Sequence, residues 1–270
     1  MPKGAAGTIR VGIGGWTFEP WRGGFYPKGL SQKRELEYAS RKLTSIEING
    51  TYYGSQKPES FAKWREETPD GFVFSLKAPR FSVARRVLAE AGESIERFFA
   101  SGLMELKDKL GPINWQFMPT KQFDPADFEA FLKLLPKSVE GRDIRHVVEV
   151  RHESFKTPEF IALLRAYRVA VVLTDKDSFP HIHDVTGPFV YARLQRSLED
   201  VETGYAAMAL DAWTGRARAW ARGDAPSDLA LIAEREKDAK PRDVFVYMIN
   251  GFKPKAPFAA MAMIERLSKG

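Results

Sequence analysis

Cysteine is absent from this 270-residue sequence, and long apolar segments are absent too. The lack of cysteine excludes disulfide bonds, thiolate-held metal ions, iron–sulfur clusters and cysteine nucleophiles. No apolar run approaches the roughly 20 residues of a membrane-spanning helix. Residues 1–7 lack the apolar core of a secretory signal. We therefore expect a cytoplasmic protein that makes no contact with a membrane.

Several cofactor and catalytic motifs are also missing. Gly12 and Gly14 follow a predicted strand, but a dinucleotide-binding loop needs a third glycine where this chain has Thr17. No Walker-type phosphate loop is present, and His152-Glu153 lacks the second histidine of a zinc-protease helix. No serine lies in a nucleophile-elbow sequence. We predict that the protein uses no cofactor.

The charge balance is mildly basic. The chain has 41 lysine and arginine residues against 35 aspartate and glutamate residues, a net charge of +6. Such a surface favours anionic partners in general and is weak evidence for nucleic acid. The 44% hydrophobic and 28% charged residues fit one large globular domain with a sizeable core.

Short apolar runs recur along the chain, and most of them end in polar residues spaced two apart. Glu47 and Asn49 show this pattern, as do Glu149 and Arg151. Residues i and i+2 of a strand point to the same side, so one face of each strand is apolar and the other carries polar groups near its carboxyl end. The predicted strands are Arg10–Gly15, Ser45–Tyr52, Phe72–Lys77, Ile113–Met118, His146–Arg151, Val169–Asp175, Phe189–Leu194 and Val244–Asn250.

The segments between these strands leave room for the helical crossovers that parallel strands need. Two helix starts are clear, because Asp124-Pro125 and Thr157-Pro158 place a capping side chain directly before a proline of the first turn. The predicted helices are Ser31–Leu43, Pro58–Glu67, Glu93–Leu110, Phe128–Leu135, Phe160–Tyr167, Leu210–Arg222 and Pro257–Leu267.

This alternation of strands and helices predicts an α/β fold, a (β/α)8 TIM-type barrel. We expect a single barrel domain over residues 10–270, preceded by a flexible tail of residues 1–9. The crossover after strand six, Lys176–Pro188, contains prolines and no helical pattern, so it should be irregular. The longest interval, 195–242, predicts a helical insertion that includes a highly charged stretch around Asp228–Asp238.

Charged and amide residues collect at the predicted carboxyl-terminal rim of the barrel. Buried charges are costly unless they are paired, so the rim must hold either a closed network of ion pairs or a site for a ligand. In the second interpretation the candidate catalytic residues are Glu47, Lys77, Glu149 and Asp175. The candidate substrate-binding residues are Trp16, Asn49, Tyr53, Gln116, Arg151, Arg193 and Asn250.

The residue types indicate roles. Arg151 and Arg193 would clamp a carboxylate or phosphate, and Glu47 or Glu149 would act as a general acid or base. Lys77 would be a charge clamp or, if desolvated, a nucleophile. The acids are oxygen donors suited to magnesium or manganese, but the cations beside them argue against a metal ion, and we predict none.

Aromatic and basic residues flank the same rim. Trp16 and Tyr53 either stack on a sugar ring or base or simply form the walls of the loops. Arg80, Arg85 and Arg86 in the loop after strand three either contact phosphates or form a solvated helix start.

At these positions the chain resembles the YecE-like proteins, a domain family of unknown function. The resemblance spans roughly residues 10 to 267 and rests on Gly14-Gly15-Trp16, Trp21-Arg22-Gly23, Phe25-Tyr26-Pro27, Glu47-Ile48-Asn49-Gly50-Thr51-Tyr52-Tyr53, Lys77, Trp115-Gln116-Phe117, Glu149-Val150-Arg151-His152, Asp175 and Tyr191-Ala192-Arg193-Leu194. It implies a TIM-type barrel, and it implies no established activity.

The sequence departs from the family pattern at three places. The family commonly has Arg-Leu-His-Gly after strand seven, where this chain has Arg193-Leu194-Gln195-Arg196. Ile249 stands before Asn250 where paired asparagines are usual, and Ser82-Val83-Ala84 replaces a threonine–histidine pair. If the missing histidines are catalytic, the activity of this chain is changed or lost.

Three functions fit these observations. The first is an enzyme, a hydrolase or an isomerase, that binds an anionic or polyhydroxylated, sugar-like small molecule at the rim. The second is a barrel that binds or processes nucleic acid, which the basic loop and the rim aromatics favour. The third is a non-catalytic ligand-binding barrel, which the missing histidines favour. The oligomeric state does not follow from the sequence.

Overall fold

Eight parallel strands form a closed barrel in the computed structural model, which describes residues 5–235 and 240–269. Each strand pairs with its neighbours in chain order, and the first strand pairs with the last to close the ring. The predicted TIM-type barrel is confirmed. The strands are β1 Ile9–Gly14, β2 Ser45–Ile48, β3 Val73–Lys77, β4 Leu110–Gln116, β5 His146–Glu149, β6 Ala170–Thr174, β7 Phe189–Leu194 and β8 Asp243–Met248.

Helices connect the strands and pack around them. The α-helices are α1 Glu35–Lys42, α2 Gly50–Tyr53, α3 Pro58–Glu67, α4 Arg80–Val83, α5 Gly92–Phe99, α6 Pro125–Leu134, α7 Pro158–Tyr167, α8 Ala207–Ala221 and α9 Ala256–Ser268. Short 3-10 helices are Glu19–Trp21, Gln32–Arg34, Leu88–Ala91, Leu103–Lys109, Glu153–Phe155 and Lys253–Lys255, and a small hairpin pairs Ser138–Val139 with Arg142–Asp143. Within the described residues, no helix has the length and apolar character needed to cross a membrane. The cytoplasmic location stays a prediction.

The two faces of each strand lie in different environments. Outward side chains such as Val11, Ile46 and Trp115 belong to the large core between strands and helices. The inward side chains nearer the amino ends form a second apolar cluster, made of Val73, Val147, Ala170, Val172, Phe189, Tyr191, Phe245 and Tyr247. The barrel interior is therefore filled below its carboxyl end, where the hydroxyls of Ser45 and Ser75 form hydrogen bonds with Tyr247 and Tyr191.

The second strand is shorter than predicted. The sequence predicts Ser45–Tyr52, but β2 ends at Ile48 and the helical turn α2 follows it. The hydroxyl of Thr51 donates to the backbone carbonyl of Lys77 at 2.6 Å, which fastens the turn to the end of β3. Asn49 has left the strand and no longer follows its alternation of faces.

The predicted helix Glu93–Leu110 is wrong beyond its first half. Helix α5 ends at Phe99, and the 3-10 helix Leu103–Lys109 follows after a turn. Gly102 in that turn has a φ of +94°, a left-handed conformation that suits glycine and ends a helix. A Cβ at this position would lie 2.6 Å from Cγ of Pro58, so close packing also requires glycine.

Both capping signals act as predicted. The side chain of Asp124 accepts a hydrogen bond from the backbone N–H of Asp127 at the start of α6. The side chain of Thr157 accepts one from the backbone N–H of Phe160 at the start of α7. Each cap satisfies a backbone donor that the first helical turn leaves unpaired.

The irregular crossover after β6 is confirmed, because Lys176–Pro188 contains neither helix nor strand. The fully buried carboxylate of Asp184 accepts hydrogen bonds from the backbone N–H groups of Ile232 and Ala233, both at 2.9 Å. This carboxylate therefore joins the crossover to the long segment between β7 and β8.

That long segment contains one α-helix, α8, among its described residues. Residues 228–235 of the predicted charged stretch form no helix, and residues 236–239 lie outside the described residues. At the other end of the chain, the N–H of Gly7 donates to the carbonyl of Ala221 at 2.9 Å, while residues 1–4 lie outside the described residues. The flexible tail and the extent of the domain stay predictions.

His146 at the start of β5 is buried and held in its neutral form. Nε1 of Trp115 donates to Nδ1 of His146 at 3.0 Å, so Nε2 carries the proton and donates to the carbonyl of Pro136 at 2.8 Å. Burial lowers the pKa of His146 to about 4. In an unfolded chain the pKa would be about 6.5.

This difference predicts an acid-sensitive stability. His146 contributes fully above pH ~6.5, and its contribution is lost as the pH falls toward 4, because the unfolded chain binds the proton first. At about 1.4 kcal/mol per pKa unit, the free energy of unfolding should fall by about 3 kcal/mol by pH ~4. Denaturant unfolding across this range would measure the loss. His146→Gln, which does not titrate, should show a shallower slope, and equal slopes would contradict the prediction.

Candidate functional site

Five inward-facing side chains meet at the carboxyl end of the barrel. The register of the strands brings them together, since Lys77 lies beside Asn114 on adjacent strands that run in the same direction. All five are almost completely buried. The cluster consists of Glu47 on β2, Lys77 on β3, Asn114 on β4, Glu149 on β5 and Arg193 on β7.

Arg193 joins the two buried glutamates. Its Nη2 donates to Oε1 of Glu47 at 3.0 Å, and its Nη1 donates to Oε2 of Glu149 at 2.5 Å. The side chains of Arg193, Glu47 and Glu149 are 3%, 0% and 3% exposed, so solvent does not screen these two ion pairs. A single guanidinium thus holds two carboxylates that would otherwise repel each other.

Further donors complete the coordination of both carboxylates. Nε and Nη2 of Arg151 donate to Oε1 of Glu149 at 2.9 and 2.6 Å. The hydroxyl of Tyr191 donates to Oε2 of Glu47 at 2.6 Å. Nδ2 of Asn114 lies 3.4 Å from Glu47 and 3.3 Å from Glu149. Every oxygen of the two carboxylates therefore has a donor.

These contacts decide the charge of Glu149. Burial by itself would raise its pKa, but Arg193, Arg151 and Lys77 outweigh burial and hold the pKa at about 2. Burial acts to lower the pKa of Arg193, whereas Glu149 and Glu47 raise it above its usual value. Glu149 and Arg193 are both charged near neutral pH, so neither exchanges a proton there.

Lys77 differs from the other charged side chains of this cluster, because it forms no ion pair within the described part of the chain. It is 6% exposed, and its ammonium forms no salt bridge with any described carboxylate. Its Nζ lies 4.5 Å from the centre of the Tyr52 ring. Burial and the charge of Arg193 lower the pKa of Lys77 to about 8, although Glu47 and Glu149 oppose the shift. The amine can therefore lose its proton close to neutral pH.

Three polar atoms in and beside the cluster are buried without a hydrogen-bond partner. They are Oδ1 of Asn114, Oε1 of Gln116 and Nε of Arg193. Gln116 lies beside Glu149 in the register of β4 and β5, so it belongs to the same end of the barrel. Buried polar atoms are seldom left unsatisfied in folded proteins. The two amide oxygens are therefore hydrogen-bond acceptors that no described donor of the protein satisfies.

Asp175 lies apart from the cluster. Its carboxylate accepts hydrogen bonds from the N–H of Gln195 at 2.6 Å and the hydroxyl of Tyr205 at 2.8 Å. Burial raises its pKa above the usual value, and these two hydrogen bonds oppose that shift. Asp175 lines a separate cavity of about 470 Å³ with His181 and Arg196. The structure does not bring it together with the other candidate acids.

Two predicted aromatic binding residues also lie outside the cluster. The Trp16 ring packs edge-on against Trp64 at 5.2 Å between ring centres and faces a cavity on the outside of the barrel. Tyr53 is 77% exposed and lines a different cleft, beside α2. Neither ring contacts the paired glutamates.

The two predicted amide binding residues come after strands rather than within them. Asn49 is half-buried, and its Nδ2 would lie 3.0 Å from a Cβ placed on Gly14, so it covers the end of β1. Asn250 is exposed, and its backbone carbonyl accepts a hydrogen bond from Ser197 at 3.1 Å. Both lie at the rim, above the buried cluster.

The sequence reasoning missed Tyr191 and Asn114 as members of the site. Both had a detectable signal, because Tyr191 is two residues before Arg193 and Asn114 is two residues before Gln116 on the same strand face. In the part of the chain that the structure describes, no group of three histidine, aspartate or glutamate side chains is placed to hold a metal ion.

Comparisons with known proteins agree on one family. The model of the family described as "Protein of unknown function DUF72" matches residues 10–270. The UPF0759 protein YecE of Escherichia coli K12 is 29% identical over 147 residues, which are 54% of this chain and 50% of YecE. The UPF0759 protein YunF of Bacillus subtilis 168 is 25% identical over 158 residues, which are 56% of this chain and 54% of YunF. The alignments span about half the length of these curated relatives.

Solved structures show the same fold. A DUF72 family protein of Thermotoga maritima MSB8 superposes with a TM-score of 0.75 at 22% identity, covering 97% of this chain and 99% of its own. A DUF72 family protein of Enterococcus faecalis V583 has a TM-score of 0.69 at 19% identity, with coverages of 97% and 98%. A xylose isomerase-like TIM barrel/4-hydroxyphenylpyruvate dioxygenase fusion protein reaches 0.54 at 15% identity, with coverages of 96% and 43%. At these identities the similarity establishes the fold alone.

Proposed function

This chain belongs to the DUF72 family of proteins of unknown function, and we propose that its barrel mouth is the active site of an enzyme. The enzyme is of hydrolase or isomerase type, and it acts on an anionic or polyhydroxylated small molecule. The mouth is the carboxyl end of the barrel, where TIM-barrel enzymes carry their active sites. The observation that carries the proposal is the state of Lys77.

A buried lysine without an ion pair is unusual in a purely structural network. Glu47 and Glu149 are satisfied by Arg193, Arg151 and neighbouring donors, so the network is complete without Lys77. Burial of an unpaired amine costs stability. Catalytic groups are often perturbed in this way, because a pKa near the working pH suits proton transfer. The low pKa of Lys77 fits a base or a nucleophile.

The proposed division of labour follows from the contacts. Lys77 in its neutral form takes a proton from the substrate or from water, or attacks a carbonyl carbon. Glu149 stays ionised and is held in place by Arg193, and the charges of these two side chains set the electrostatic potential at Lys77. This assigns Glu149 a supporting role, in place of the acid–base role that the sequence suggested.

The substrate class follows from the unpaired groups. Oδ1 of Asn114 and Oε1 of Gln116 accept hydrogen bonds from hydroxyl groups of a sugar-like molecule. Arg151 is 18% exposed, and its guanidinium lies 4.7 Å from the Phe179 ring, so it can present a positive charge to a phosphate or carboxylate. Together these groups favour a hydroxylated anion.

Lys77→Met tests the proposal. Pools of sugar phosphates and hydroxy acids would be screened for a rise in melting temperature with the wild type, and the compounds that bind would be incubated in D₂O and followed by NMR and mass spectrometry. Turnover should fall at least about 100-fold in Lys77→Met, the usual contribution of a positioned acid or base. The wild-type rate should rise with pH through about 8, where Lys77 loses its proton.

Lys133→Met is the matched control, since Lys133 is an exposed lysine on α6 paired with Glu129. It should leave turnover unchanged. Undiminished turnover in Lys77→Met would refute the role of Lys77. A compound that raises the melting temperature in a manner dependent on Arg151, yet yields no product, would replace the enzyme with the non-catalytic ligand-binding barrel.

A further inference from the structure

A second cleft, of about 360 Å³, lies beside the barrel mouth between α2 and α5. Tyr53 of α2 and Phe81 of α4 line it, and these residues are 77% and 76% exposed. Isolated exposed apolar residues need no explanation, but here two large rings open onto one concavity. Exposed aromatic rings around a cleft are surfaces on which another flat ring can stack.

The same cleft contains an unsatisfied cation. Nε of Arg85 is buried and has no hydrogen-bond partner, and the guanidinium forms no salt bridge with a described carboxylate. The other arginine of the cleft, Arg97, is neutralised by Glu93 at 2.5 Å. A buried guanidinium N–H without an acceptor is energetically costly, and an anionic oxygen is the acceptor that forms the strongest hydrogen bond with it.

The cleft and the barrel mouth share one wall. Tyr52 lines the cleft, and the centre of its ring lies 4.5 Å from Nζ of Lys77. Tyr52 and Tyr53 meet edge-to-face with 5.1 Å between ring centres. The two sites are therefore neighbours, but the cleft has its own aromatic surface and its own cation.

We propose that this cleft binds a small molecule that joins a flat aromatic ring to an anionic group, the chemistry of a nucleoside monophosphate. The ring stacks on Tyr53 and Phe81, and the phosphate accepts hydrogen bonds from Arg85. A bare anion would leave the aromatic wall unused, and an uncharged ring would leave Arg85 unpaired. The volume lies within the range of roughly 300–1,000 Å³ that small-molecule sites occupy.

Isothermal titration of the full chain with the four ribonucleoside 5′-monophosphates, the four nucleosides and inorganic phosphate tests this assignment. At least one monophosphate should bind at least about tenfold more tightly than its nucleoside, because the phosphate adds a charge-assisted hydrogen bond. Inorganic phosphate alone should bind more weakly than the monophosphate. Absence of binding by all four monophosphates would overturn the proposal.

Two variants separate the parts of the site. Arg85→Met should bring the affinity for the monophosphate down to that of the nucleoside, while affinity for the nucleoside stays unchanged. Phe81→Ala should weaken both ligands by a similar factor, and its high exposure makes loss of folding a minor concern. Arg86→Met removes an exposed neighbouring arginine outside the cleft and should change neither affinity.

Three further results would contradict the assignment. Unchanged affinities in Arg85→Met and Phe81→Ala would place the ligand elsewhere. Loss of monophosphate binding in Lys77→Met would place the ligand at the barrel mouth. The proposal requires that this variant bind the monophosphate as tightly as the wild type does. A single-stranded oligonucleotide that binds far more tightly than the monophosphate, and that Arg86→Met weakens as much as Arg85→Met, would indicate a nucleic-acid surface. None of these titrations depends on turnover, so the cleft and the proposed enzyme stand or fall separately.

Discussion

Arg193→Met is expected to destabilise the protein by about 3–5 kcal/mol, the usual cost of removing one partner from a buried ion pair. The effect is large because Arg193 is shared by two carboxylates. Glu47 and Glu149 are 0% and 2% exposed, and without the guanidinium both charges would remain buried and repel each other. Equilibrium unfolding in urea would measure the loss, with poor soluble expression as its extreme form.

A rescue experiment distinguishes charge from packing. Adding Glu47→Gln to Arg193→Met removes the carboxylate that is left without an ion pair, while Glu149 keeps its ion pair with Arg151, and should restore part of the lost stability. Lys77→Met serves as the matched control, because it also removes a buried cation, but one without an ion pair. It should be neutral or stabilising, since an unpaired amine no longer has to be buried. An Arg193→Met protein as stable as the wild type would show that the barrel end does not depend on this network.

Gly12→Ala should also be strongly destabilising, by at least about 3 kcal/mol, the upper end of ordinary overpacking. A Cβ on Gly12 would lie 2.0 Å from the backbone oxygen of Ser45 and 2.6 Å from its carbonyl carbon. The obstructing atoms belong to the backbone of β2, which is paired with β1 at this position. They cannot move aside as a side chain could, so β1 and β2 would have to separate at this point of the barrel.

Gly215→Ala offers the opposite expectation in the same chain. Gly215 is an exposed residue in the middle of α8, and a Cβ there would meet nothing within 4 Å. Alanine in a helix interior is favoured over glycine by about 0.5–1 kcal/mol. Thermal and urea unfolding of both variants should therefore give shifts of opposite sign. Equal changes in stability would mean that the close approach of Gly12 to Ser45 is not the reason why position 12 requires glycine.

The sequence offered two interpretations of the polar rim, and the structure contains elements of both. Glu47 and Glu149 are satisfied internally by Arg193 and its neighbours, as a closed ion-pair network requires. Lys77 forms no ion pair with a described carboxylate, and Oε1 of Gln116 has no hydrogen-bond partner. A binding site can thus be built on a rigid electrostatic frame, in which some charges hold the others in place.

The parallel barrel could be predicted because its signals are local and repeated. One signal is an apolar strand that carries two polar residues two positions apart, and the other is a capped helix start, as at Asp124 and Thr157. Both signals depend only on residues close together in the sequence. The errors arose where a local pattern had more than one continuation. The segment after Ile48 continues an apparent strand but turns into α2. The segment after Phe99 has helical character, but Gly102 and its contact with Pro58 end the helix.

The sequence by itself determined which side chains face the inside of the barrel and at which end the charges gather, because strand periodicity depends only on residue order. Only the tertiary structure decided which of those side chains meet. It placed Arg193 between Glu47 and Glu149, left Lys77 without an ion pair, and directed Asp175 into a separate cavity. The reason is physical: the energy and pKa of a buried charge depend on distances of a few ångströms between residues far apart in the chain, and residue order does not contain those distances.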